Sequence, residues 1–168
     1  MKKFVRVCAA AGLVLAAVAC DSTKPSESVT FTAQLSPANE VPAVTNAEAT
    51  GSGTATVVLT VNRDNGGAIT TATANFQVSL TGFPNGTALT MAHIHRGAVG
   101  VAGPIVVDTG LTTGEIVLNG GVGSFTKTGI GVTATLAQEI LSNPGSFYFN
   151  VHSALNAGGM ARGQLVKN

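Results

Sequence analysis

The sequence predicts an all-β fold, an antiparallel Greek-key β-sandwich with one short helix near residues 135–141. Three observations carry this. Thr- and Val-rich segments recur at short spacing, bounded by glycine, proline and asparagine. No βαβ rhythm appears that would call for a parallel sheet. The 168 residues are 45% hydrophobic and only 10% charged, with 21 glycines, which fits strands with a buried face and many tight turns rather than a disordered chain.

Val29 to Gln34 alternates apolar and polar side chains, as a half-buried strand does. Residues 36–49 form a loop held by Pro37 and Pro42. Gly53 to Asn62 and Ala68 to Leu80 are two strands joined by Asp64-Asn65-Gly66-Gly67, a hairpin turn in which glycine takes positive φ at little cost. Thr87 to Arg96 is a strand, Gly97 to Gly103 a glycine-rich loop, and Pro104 to Asp108 a further short strand. Thr113 to Leu118 and Gly123 to Thr128 read as a second hairpin. Thr135 to Leu141 reads as the helix, with Thr135 as cap, Gln138 closing a capping box, Leu136 and Ile140 as apolar stripe, and Asn143-Pro144-Gly145 as stop. Ser146 to Ser153 and Gly163 to Val166 complete about eight strands.

The first residues read as a targeting segment. Lys2, Lys3 and Arg6 precede an apolar run from Val7 to Ala19 that is too short for a membrane span of about 20 residues. The run ends in Ala17-Val18-Ala19-Cys20, which resembles the lipobox of bacterial lipoproteins, with Cys20 lipidated as the new N-terminus. The expected organisation is a signal peptide over 1–19, a lipidated polar tether over 20–28 and one domain over 29–168. The expected location is the bacterial cell envelope, anchored to the membrane through the N-terminal lipid and facing the periplasm or the exterior. Cys8 would leave with the signal and Cys20 would carry lipid, so no disulfide is expected. Losing Lys2, Lys3 and Arg6 leaves six basic residues against eight acidic ones, a net charge of about −2. No nucleic-acid partner follows from that charge.

The chain has three histidines, two of them in Ala92-His93-Ile94-His95 and the third in Asn150-Val151-His152. Strand side chains alternate faces, so His93 and His95 share one face while Ala92 and Ile94 take the other. Brought beside them on a neighbouring strand, His152 completes a three-nitrogen set suited to copper, with zinc as the alternative, rather than magnesium or calcium. The competing reading is structural, with imidazoles bonded to loop carbonyls. Met91, on the His93 face, is a candidate soft ligand, against plain packing. Arg162 is a candidate anion guide, against an ion pair with Asp108 or Glu40 or bonds to loop carbonyls. Glu40, in a proline-fixed loop, reads as a loop anchor. Gly97 to Gly103 lacks the lysine and following helix of a phosphate loop, and Ser146 and Ser153 lack the partners of a hydrolase triad. No catalytic residue is assigned.

Three blocks carry a family resemblance. They are Ala38-Asn39-Glu40-Val41-Pro42; Ala92-His93-Ile94-His95-Arg96-Gly97 with Gly103-Pro104-Ile105-Val106-Val107; and Phe147-Tyr148-Phe149-Asn150-Val151-His152-Ser153 with Asn156-Ala157-Gly158-Gly159-Met160-Ala161-Arg162-Gly163-Gln164-Leu165. In that order over residues 29–168 they resemble the CHRD domain, the module named for chordin. At Met160-Ala161 the family more often has an acidic and an aliphatic residue. The resemblance implies an extracellular β-sandwich of superoxide-dismutase-like or immunoglobulin-like type. A weaker resemblance is to the copper-zinc superoxide dismutases. His93, His95 and His152 match three of their four copper histidines, and Arg162 matches their anion-guiding arginine. The metal-bridging histidine, the zinc histidines and the disulfide have no counterpart, so this resemblance implies weak dismutation at most.

The functional classes that follow are a metal-binding envelope lipoprotein, a non-catalytic module presenting its surface to a protein or matrix partner, and, third, a dismutase-like oxidoreductase. Sites rather than folds separate them.

Overall fold

The computed structural model describes residues 24–168. The expected signal peptide and lipidation site at Cys20 lie outside the described residues. No helix among the described residues is long and apolar enough to cross a membrane.

Among the described residues, nine strands form two antiparallel sheets. The first contains β1 (Glu27–Leu35), β2 (Ser52–Arg63), β3 (Ile69–Thr81), β6 (Gly123–Val132) and β9 (Val166–Lys167), in the order β6-β3-β2-β1-β9. The second contains β4 (Leu89–Arg96), β5 (Ile105–Asp108), β7 (Phe147–Ser153) and β8 (Ala161–Gln164), in the order β5-β4-β7-β8. Every pairing is antiparallel, as the sequence pattern predicts. The chain crosses between the sheets after β3, β5, β6 and β8.

Alternation builds the core. β3 buries every second residue from Ala72 to Leu80, and Phe31, Ala33, Leu35, Val57 and Leu59 do the same from β1 and β2. Ala92 and Ile94 from β4 and Phe147, Phe149 and Val151 from β7 meet them from the opposing sheet. The rings of Phe76 and Phe149 lie 5.7 Å apart between the layers. The β2–β3 hairpin closes where expected. Gly67 N–H donates to Asp64 O at 3.0 Å, Ala68 N–H donates to Asp64 Oδ1 at 2.9 Å, and Gly67 has φ +90°.

Three local expectations are corrected. The helix, α1 (Ala134–Ser142), is capped by Thr133, whose Oγ1 accepts from Leu136 N–H at 3.3 Å. Thr133 leaves β6 in extended conformation, which is what a cap needs; Gln138 instead donates to Ser142 Oγ at 3.0 Å. The second hairpin is only a tight turn. Asn119 and Val122 bridge across Gly120-Gly121, but beyond them the two arms diverge. Leu118 N–H bonds to Thr87 O, while Gly123 pairs with Leu80 in the long β3–β6 ladder. That ladder pairs eight residues of β6 with β3, more than the short arm offers. Finally, the C-terminal strand is two strands. β8 belongs to one sheet and β9 to the other, with buried Leu165 at the crossing and an isolated Ser36–Arg162 bridge alongside.

Strand β7 differs from the others because all seven of its residues are buried. Phe147, Phe149 and Val151 face the core. Tyr148, Asn150 and His152 face the other way, so that side of the second sheet is covered too. We expect Phe149→Ala to cost about 3–5 kcal/mol of stability, read from the urea midpoint at constant m-value. A loss under about 1 kcal/mol would show that the two layers do not depend on this contact.

Candidate metal centre

The covered face is built by strand register. His93 lies opposite Asn150, Met91 opposite His152 and His95 opposite Tyr148 across β4 and β7. On either side, Asp108 of β5 lies opposite His93 and Arg162 of β8 opposite Asn150. A polar row, Asp108–His93–Asn150–Arg162, therefore crosses all four strands. Its partners on the inner face, Ala92, Ile94 and Val151, are in the core. Their burial forces the intervening side chains outward.

All three histidines converge. One nitrogen from each lies within 4.8 Å of the others, with His93 Nδ1 3.3 Å from His152 Nε2. Nitrogen ligands bind zinc at about 2.0–2.1 Å, which places donors roughly 3–4 Å apart around one ion, so this set needs little contraction. The exposures of His93, His95 and His152 are 1%, 7% and 5%.

Backbone carbonyls fix two of the rings. His95 Nδ1 lies 2.9 Å from Gly103 O, and His152 Nδ1 2.9 Å from Ala157 O. A carbonyl only accepts, so both Nδ1 atoms carry the proton and both Nε2 atoms keep a lone pair. His95 Nε2 is buried without a partner. His93 points Nε2 toward Asp108 Oδ1 at 3.8 Å, which leaves Nδ1 for the cluster. Burial holds all three imidazoles below the usual histidine range. His93 is pushed down to about 4, with neighbouring His152 adding to the burial effect and Asp108 opposing it. The rings are neutral at neutral pH, as metal ligands must be.

Loops close over this face. Residues 97–104 are tied down through Gly103 O on His95, Gly103 N–H donating to Tyr148 Oη at 3.1 Å, and Val101 O on Arg162. A side chain at Gly103 would collide with Arg96 O, so only glycine lets the loop pass this close. The loop after β1 is tied through Asn39, and its far end through buried Glu48, which accepts from Ser153 Oγ at 2.7 Å.

Arg162 is 2% exposed. Its Nε donates to Asn39 O at 2.6 Å and its Nη1 to Val101 O at 3.0 Å. Its guanidinium lies 4.4 Å from the Tyr148 ring, which itself stacks on His95 at 4.8 Å. In this position it ties two loops to the sheet. Asp108 faces His93 from the far edge and Glu40 is the carboxyl beside Arg162. Glu40 is buried, and burial pushes its carboxyl up to about 7 against the opposing pull of Arg162 and a hydrogen bond from Asn150. Met91 is 39% exposed, at the rim.

Sequence reasoning missed Asn150, Tyr148 and the pairing of Asp108 with His93. The period of two was the available signal for the first pair, since both lie at even spacing before His152.

The CHRD domain model matches residues 31–165, most of the chain, and the protein belongs to the CHRD domain family. No curated protein and no solved structure gives a match.

The titrating groups oppose one another. The depressed histidines contribute stability that is complete above their unfolded pKa of 6.5 and is lost as pH falls toward 4. Glu40, raised from 4.5 to about 7, contributes stability that is complete below 4.5 and is lost as pH rises through 7. For the metal-free protein, Glu40→Gln should therefore compare more favourably with wild type at pH 8 than at pH 5. Urea unfolding at both values checks this; an offset independent of pH would contradict it.

Proposed function

We propose that this protein is a cell-envelope lipoprotein whose CHRD domain binds one transition-metal ion through His93 Nδ1, His95 Nε2 and His152 Nε2. Copper is the favoured ion and zinc the alternative. The observation that carries this reading is the convergence of three neutral, buried imidazoles, two of them held in the correct tautomer by backbone carbonyls. Purely structural histidines would satisfy both nitrogens within the fold, yet His95 Nε2 has no partner. Three nitrogens without thiolate or a close carboxylate suit copper in either oxidation state, and copper(II) heads the first-row affinity order. Lipidation at Cys20 and a place in the envelope rest on the N-terminal sequence pattern.

The reading is one of holding a metal rather than of turnover. The ligands are nearly closed to solvent, and the adjoining arginine is engaged with loop carbonyls. A metal held there would supply Lewis acidity or one-electron chemistry; the chain itself supplies neutral ligands and their orientation.

Calorimetric titration of copper and zinc into the purified chain tests this. Wild type should bind one ion, and alanine at any one of the three histidines should weaken binding by at least about tenfold. Equal, weak uptake by wild type and His93→Ala would remove the metal reading. Asp108→Asn should cost no more than about tenfold, the lower end for a residue that orients a ligand, because Asp108 is exposed and 3.8 Å from His93 Nε2. Because burial depresses the histidines, proton competition should set in below the ordinary value near 6.5; loss of binding centred at 6.5 or above would contradict this assignment. Mass spectrometry of membrane-extracted protein should find a lipidated Cys20 at the N-terminus, and an unmodified start elsewhere would refute the lipoprotein reading.

A further inference from the structure

One buried acceptor on the histidine face is left over by the three-nitrogen set. Asn150 is 2% exposed, and its Oδ1 has no hydrogen-bond partner within the protein. Buried amide oxygens are nearly always partnered. Asn150 stands opposite His93 and two residues before His152, so its side chain lies on their face. On its other side it stands opposite Arg162.

The amide is held in one orientation. Asn150 Nδ2 and the Glu40 carboxyl face each other, and this contact helps to keep the carboxyl ionised. The contact forms above Gly159, where a side-chain carbon would lie 2.5 Å from Glu40 Oε2 and 2.8 Å from Asn150 Nδ2. The nitrogen arm of the amide is thus on the Glu40 side. Above its pKa of about 7, as at the pH of the test below, the Glu40 carboxylate only accepts, so it opposes rotation of the amide that would bring oxygen to oxygen. The other arm, Oδ1, is the unpartnered one.

Three protein nitrogens leave a metal with an open position. From the register and the orphaned oxygen we infer that Asn150 Oδ1 accepts a hydrogen bond from the ligand in that position. Asn150 then selects proton-bearing ligands, water or ammonia, over proton-free anions such as azide. This rests on the metal reading above and extends it to ligand preference. An anion without a proton would set its lone pairs against those of Oδ1. Three of the nearby donor atoms are engaged elsewhere, since Tyr148 Oη packs on Gly103 and Arg162 Nε and Nη1 bond to Asn39 O and Val101 O. The preference should amount to one hydrogen bond, roughly a factor of ten.

The test uses the purified full chain loaded with cobalt(II), whose visible bands report its ligands, titrated with azide and with ammonia at pH 8. Asn150→Leu and Asn150→Ala should bind azide about tenfold more tightly relative to ammonia than wild type does, with cobalt affinity changed by less than about threefold. An unchanged azide-to-ammonia ratio in variants that still bind cobalt overturns the inference and leaves the metal reading standing. Wild type that takes up neither cobalt nor copper removes both. Should the variants fail to fold, the zinc-loaded wild type decides. The Asn150 side-chain carbonyl carbon should shift downfield in NMR when zinc binds and move back when azide is added, and a resonance indifferent to both overturns the proposal.

Discussion

Burial of β7 on both faces is the constraint from which the rest of the molecule follows. One face carries Phe147, Phe149 and Val151 into the core between the sheets, and the other carries Tyr148, Asn150 and His152 under the loops. An antiparallel strand with one wet face places few demands on its loops. A strand dry on both faces requires every outward polar atom to find a partner. Most do: His152 on Ala157 O, Tyr148 on the Gly103 backbone, and Ser153 on Glu48. The loops around 39, 101 and 157 are thereby pinned to the sheet by the same groups they bury.

The chemistry of that buried layer is dominated by desolvation. Histidines that would titrate near neutral pH in water are held neutral, and a glutamate that would be ionised is held near the middle of its range. Among the described residues the one buried cation, Arg162, lies over the Tyr148 ring and reaches two loop carbonyls. A guanidinium suits this position because its planar fork can stack and donate in two directions, which a lysine ammonium could not do. Because Tyr148 also stacks on His95, the position of the histidine is mechanically linked to the loop clamp through one aromatic ring.

Closure of the sandwich depends on the C-terminus. β8 completes the histidine sheet and β9 completes the other, with Leu165 buried between them. Gly163 lies so close to Gln34 that any side chain would strike the backbone of β1. One continuous segment thus seams the two sheets beside the histidine face, and Arg162, Gly163 and Gln164 hold the seam and the loops together.

The alternation of apolar and polar residues, read with the glycine and proline punctuation, was enough to define an antiparallel sandwich, the β2–β3 hairpin and the face shared by His93 and His95. These are local properties: side-chain period and turn conformation are set within a few residues. Tertiary structure alone decided what depends on register between distant strands. It put His152 diagonal to His93, Asp108 behind His93 rather than against Arg162, and Asn150 between the histidines and Glu40. It also sent the arms of the Gly120-Gly121 turn to different partners and moved the helix cap from Thr135 to Thr133. Sequence periodicity specifies which face a residue takes. Which residues meet on that face depends on how strands fifty or more positions apart are aligned, and the packing of the whole core sets that alignment.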